Sequence, residues 1–109
     1  MQALLINFNL EGLDRDQFHA LGSELAPAFA AIDGLVAKIW IGDDESNTYG
    51  ALYLFDDARS REVFLASDLA EAVRTHPNLA NVTARPFDVF DDLTAKTQPG
   101  ATIAAAAVV

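Results

Sequence analysis

Two strand-like runs joined by a short polar loop, with helix-forming sequence on both sides, constrain this chain more than any other feature. The first run is Leu35-Val36-Ala37-Lys38-Ile39-Trp40-Ile41. An acidic, polar loop from Gly42 to Asn47 follows, and then Thr48-Tyr49-Gly50-Ala51-Leu52-Tyr53-Leu54-Phe55. Side chains along a strand alternate between two faces. Here one apolar set alternates with a set containing Lys38, Trp40, Tyr49 and Tyr53. A hairpin with a greasy face and an aromatic-polar face predicts packing on one side and a selective surface on the other.

The flanking sequence supplies the remaining elements. Residues 3–10 alternate Leu4, Ile6, Phe8 and Leu10 with Leu5, Asn7 and Asn9, which predicts a strand. Glu11-Gly12-Leu13 is a turn. Asp14 with Gln17 forms the spacing of a capping box, and Phe18, Leu21, Leu25, Phe29 and Ile32 follow at helical intervals. Pro27 predicts a kink, and Asp33-Gly34 a stop. After the hairpin, Asp56 is a candidate N-cap for a helix over 57–66. Ser67 or Asp68 is one for a shorter helix ending before His76-Pro77, and a last strand is expected from Val82 to Phe90. The order β-α-β-β-α-β is that of a ferredoxin-like α+β domain, an antiparallel sheet with helices on one face. Residues 1–93 make one such domain, and 94–109 are expected as a C-terminal tail. The strands are apolar on both faces, and two helices cover only one. The other face therefore calls for a second copy of the chain in a homodimer, or for the tail, whose stretch Ala101 to Val109 is expected to pack on protein.

Composition removes several function classes. At 109 residues the chain is one domain. A net charge of −9, with seven basic residues and none clustered, opposes nucleic acid and anionic membrane surfaces. With no cysteine there is neither disulfide, thiolate metal site nor thiol nucleophile. The N-terminus has no positive region before an apolar stretch, and the run Ile103 to Val109 is too short to span a bilayer, so a cytoplasmic location is expected. Phosphate-loop, dinucleotide and nucleophile-elbow motifs are absent.

The candidate site residues each carry two readings. Trp40 suits a wall on which a substrate stacks, and equally a large core residue; its alternation with Lys38 favours a cavity or a wet interface on that face. Tyr53, with Phe55 beyond it, suits a pocket wall, although aromatics are ordinary in strands; Tyr49 lies near the loop and is expected to be exposed. Asn is depleted in strands, so Asn7 is a candidate to hold a substrate oxygen and Asn9 one to tie down a turn. His76 is placed to act as a base, while His-Pro after a helix also reads as a plain stop. His19 is expected at the surface. Lys38 and Arg85 could bind an acidic substrate, but among 16 acids ion pairing is the favoured reading. Asp43-Asp44-Glu45 lacks the spaced ligands of a calcium loop and reads as a solvated turn, so no metal site is expected.

The segments Lys38-Ile39-Trp40, Tyr53-Leu54-Phe55 and Phe87-Asp88-Val89, with Pro27 in the first helix, resemble the YdhR-like mono-oxygenase family of the dimeric α+β barrel superfamily. The resemblance covers about residues 3 to 93. It implies a homodimer whose sheets face each other, each subunit holding a pocket between sheet and helices. It also implies oxidation of a small aromatic or polyketide-like compound with dioxygen and no cofactor. The alternative is a non-catalytic small-molecule binding or sensing dimer with the same pocket. Haem-degrading relatives use an Asn, a Trp and a His. In that register Asn7 matches the Asn, Phe55 stands for the Trp and Arg74 for the His, with His76 two residues on. Two of the three are changed, which argues against haem. The combined expectation is a cavity lined by Asn7, Trp40, Tyr53 and Phe55, with His76 or Arg74 at its rim.

Overall fold

The computed structural model describes residues 1–98. The expectation for Ala101 to Val109 lies outside them. Four strands and four helices follow in the order β1 Gln2–Leu10, α1 Arg15–Ala30, β2 Leu35–Asp43, β3 Thr48–Phe55, α2 Ala58–Leu65, α3 Asp68–Thr75, β4 Leu79–Asp88 and α4 Asp91–Lys96. The strands form one antiparallel sheet in the order β2-β3-β1-β4, the ferredoxin-like arrangement.

Local chemistry sets the element ends. The Asp14 carboxylate accepts from the Gln17 amide at 2.8 Å, and the Gln17 side chain accepts from the Asp14 amide at 2.9 Å, closing the capping box. Helix α1 carries Pro27 within its last turn and ends soon after it. Helix α2 is capped by Asp57 rather than Asp56, through the Ser60 amide at 2.8 Å. Ser67 caps α3 through the Ala70 amide at 3.2 Å. Strand β4 begins and ends earlier than its sequence pattern suggests. A register shift opposite Asn7 and Asn9, with Asn81 at φ 56°, puts both Leu79 and Val82 against the core and so breaks the simple alternation. The short helix α4 stands where the tail was expected to begin.

The register fixes the faces. Leu4 pairs with Tyr53, Ile6 with Ala51 and Phe8 with Tyr49. Across the hairpin, Lys38 pairs with Tyr53 and Trp40 with Ala51. All of these, and Phe55 with them, share the face that packs on Phe29 of α1, Phe64 of α2 and Ala70 of α3. The opposite face carries Ala3, Leu5 and Asn7 on β1, Leu52 and Leu54 on β3, Ile39 and Ile41 on β2, and Phe87 on β4. Asn7 is therefore on the other side of the sheet from Trp40, Tyr53 and Phe55, and the expected four-residue cavity does not form. The reason is parity: in this antiparallel register Phe55 pairs with Gln2, so it sides with the even residues of β1. Asn7 faces Gly50, where an added Cβ would fall 1.9 Å from the Ile6 carbonyl oxygen, so only glycine admits this close approach of β1 and β3.

Candidate functional site

Two hollows meet at Trp40. The inner one, of about 100 Å³, lies between the sheet and helices α1 and α3, and its wall includes Phe29, Lys38, Trp40, Tyr53, Val73 and His76. The outer one is a groove of about 330 Å³ between α1 and the edge strand β2, with Arg15, His19, Trp40, Gly42 and Tyr49 along it. Phe18, Gly22 and Trp40 border both. The indole lies against the helix backbone at Gly22, where a Cβ would stand 3.1 Å from its Cζ3 atom. Edge-on contacts to Phe29 at 5.7 Å and Phe18 at 6.2 Å hold it in place. Trp40 is thus a wall shared by the inner cavity and the outer groove.

The inner cavity is almost wholly apolar, and Lys38 is the cation in its wall, beside the polar tips of Tyr53 and His76. Its Nζ sits 3.1 Å from the centre of the Phe29 ring, 3.6 Å from Trp40 and 4.8 Å from Tyr53. Among the described residues no carboxylate pairs with it. This corrects the expectation of an ion-paired lysine: the neighbours are rings, because Lys38 shares the covered face and every strand neighbour on that face is apolar or aromatic. Burial pulls its pKa down to about 7. The same burial pushes the Tyr53 phenol well above its ordinary range.

His76 lines the inner cavity as expected, at the C-terminal end of α3. Its Nδ1 accepts from the Asn78 backbone amide at 3.1 Å, so the neutral ring keeps its proton on Nε2 and is set up to donate. Arg74 does not reach the cavity. It donates to Glu71 at 2.7 Å and to the Leu65 carbonyl at 3.1 Å, an arrangement that fastens the end of α3 to the end of α2. Phe55 is fully buried beyond the cavity, stacked on Tyr53 at 6.2 Å with rings nearly parallel. Tyr49 is buried rather than exposed. Its hydroxyl donates to Asp44, which also meets Arg15 at 3.2 Å, and Tyr49 and Arg15 both line the outer groove. The Tyr49 hydrogen bond holds the Asp44 carboxyl below its usual pKa. His19 is exposed, as expected, yet borders that groove. Arg85 lies over the ring of Phe87 on the far face of the sheet, away from both hollows.

The acidic loop is turn structure. The Asp43 carboxylate accepts from the Ser46 hydroxyl at 2.7 Å and the Glu45 amide at 3.3 Å. Among the described residues no cluster of three or more potential metal ligands exists. Haem does not fit the residues present. The inner cavity, at about 100 Å³, is far smaller than a porphyrin, and Arg74, which the resemblance sets at the position of the ligating His, is bonded to Glu71. Lys38 is the site residue whose setting differs most from its sequence reading. Its alternation with Trp40 on a face without a neighbouring acid was the available signal.

Solved structures resemble the chain in fold. SnoaB, a cofactor-independent oxygenase from Streptomyces nogalater, is 18% identical with a TM-score of 0.65, over 82% of this chain and 92% of that one. A putative antibiotic biosynthesis monooxygenase from Deinococcus radiodurans is 14% identical with a TM-score of 0.64, over the same shares. The haem-degrading MhuD of Mycobacterium tuberculosis is 12% identical with a TM-score of 0.63, over 81% and 95%. The comparison with curated proteins returned no significant match. The sequence profile of the family "putative mono-oxygenase ydhR" matches residues 3–99, and the chain belongs to that family.

Proposed function

We propose that the protein is a cofactor-independent mono-oxygenase, acting as a cytoplasmic homodimer on a small hydroxylated aromatic compound. The observation that carries this reading is the aromatic, water-poor cavity between sheet and helices, walled by Phe29, Trp40 and Tyr53 and opening toward the outer groove at Trp40. A flat substrate fills the inner cavity and part of the groove with its ring against these faces. The reaction needs no external reductant. An activated methylene on the aromatic compound loses a proton and its carbanion reduces dioxygen. One oxygen atom ends as a carbonyl on that carbon, and the other leaves as water with the two hydrogens. The protein's part is to hold the ring, exclude water, and take and return protons. In this reading His76, whose Nδ1 accepts from the Asn78 amide, donates from Nε2 to a developing oxyanion.

The test is oxygen uptake by metal-free, flavin-free protein supplied with a panel of hydroxylated aromatic methylene compounds. Turnover that is lost on Trp40→Ala supports the reading. Saturable binding of the whole panel without oxygen uptake selects a binding or sensing protein instead.

A further inference from the structure

Lys38 is an oddity that the oxygenase reading leaves without a role. A chain with 16 acids and 7 bases has ample carboxylates for its lysines, yet this one is packed among rings. Helix α1 presents Phe29, Gly22 and Leu25, and α3 presents Leu69, Ala72 and Val73. Strand β1 offers Ile6 and Phe8, and β3 offers Ala51 and Tyr53. The titratable groups on this wall besides Lys38 are Tyr53 and His76, and neither supplies a negative charge near neutral pH. A lysine serving only as a structural cation would gain more from a carboxylate than from three rings in a desolvated site.

We propose that Lys38 is the catalytic base of this cavity and the anchor for its ligand, an aromatic compound with an acidic hydroxyl. The neutral amine takes the proton from that hydroxyl: the O–H bond breaks, an N–H bond forms, and an ammonium–phenolate pair replaces two neutral groups. The anion supplies what the empty wall lacks, a negative partner for Lys38. The rings of Phe29 and Trp40, at 3.1 and 3.6 Å from Nζ, steady the ammonium meanwhile. Burial places the amine's pKa at about 7, so both of its protonation states are populated near neutral pH. Entry runs past Trp40, the wall shared by groove and cavity. This assignment deepens the oxygenase reading and rests on it for the later steps, but not for ligand ionisation.

The experiment uses 4-nitrophenol, whose anion is yellow and whose neutral form is not, with no oxygen chemistry involved. Trp40 is the one tryptophan of the chain, so quenching of its fluorescence reports binding at the cavity. Below the probe's own pKa, binding to the wild-type protein is expected to raise its anion-to-neutral ratio about tenfold or more, equivalent to one pH unit. Lys38→Met, which keeps an unbranched chain among the rings, is expected to bind the probe neutral and abolish the rise. Lys38→Arg is expected to keep the anion bound but to lose turnover, because guanidinium does not give up its proton. The proposal is overturned by neutral probe on the wild-type protein, by an undiminished anion band in folded Lys38→Met, or by no quenching of Trp40. An anion band with no oxygen uptake on any substrate sinks the oxygenase reading and leaves the Lys38 assignment standing.

Discussion

Lys38 couples the cavity to the stability of the fold. The unfolded chain holds the lysine proton up to the ordinary value of 10.5, whereas the folded chain holds it only up to about 7. Between those values the unfolded state binds more protons, so stability rises with pH across the window and is lowest below it. The slope from one proton is at most about 1.4 kcal/mol per pH unit, less where solvent reaches the amine. Lys38→Met removes this dependence. Urea unfolding at several pH values should therefore show the variant gaining on the wild type as pH falls from 10.5 towards 7; parallel curves for the two proteins would mean that the lysine is solvated. The same residue shows what composition hides. Lys38 is one of seven basic residues by count, and nothing in the count tells that three rings rather than an acid surround it. That knowledge requires the helices to be placed over the sheet.

At the scale of elements, the hairpin does more than present Trp40. Asn47 closes its loop at φ 49°, a backbone region that suits Asn and Gly. Its side chain then donates to the Leu10 carbonyl at 2.9 Å and accepts from the Leu10 amide at 3.2 Å, while Asn9 donates to the Asn47 carbonyl at 2.8 Å. Asn81, at the bulge of β4, in turn donates to Asn9 at 2.9 Å. Three asparagines thus bind the loop, β1 and β4 at one end of the sheet. Asn47→Gly keeps the backbone geometry and loses only the side-chain bonds, about 1–2 kcal/mol. Asn47→Ala loses both and is expected to cost about 2–4 kcal/mol. Thermal unfolding should rank wild type above the glycine variant and that above the alanine variant; equal loss in the two variants would show that the backbone angle carries no cost. The elements themselves were readable, because capping residues and alternation are local signals: Asp14 with Gln17, Ser67, and the Leu35–Phe55 hairpin all behave as their sequence suggests. The site was readable only in part. Trp40, Tyr53 and His76 converge on the inner cavity. Asn7 fell to the wrong face because a one-residue choice of register inverts every side chain, and the sequence of β1, apolar at Leu4, Leu5, Ile6 and Phe8, gives no decisive parity. Arg74 and Phe55 failed for a different reason: their partners, Glu71 with Leu65 and Tyr53 with Phe64, draw them away from the cavity.

For the whole molecule, the decisive feature is the sheet face left without helices. Ile39, Ile41 and Phe87 lie there at 39%, 41% and 44% exposure, with Leu5 and Leu52 half-buried between them. An apolar surface of this kind on a chain of 109 residues leads us to expect association there. We expect a second copy laid sheet to sheet to cover this face, its symmetry presenting each apolar face with its own equivalent. The expected mass from size-exclusion chromatography with light scattering is that of a dimer at micromolar concentration. Ile39→Asp puts an unpaired carboxylate on this apolar face and is expected to yield a folded monomer, since Ile39 points away from the core cluster that holds the subunit together. The cavity lies on the opposite side of the sheet, so the monomeric variant should still quench Trp40 fluorescence on adding 4-nitrophenol. A wild-type monomer, or a dimer indifferent to Ile39→Asp, would remove the sheet-to-sheet assembly.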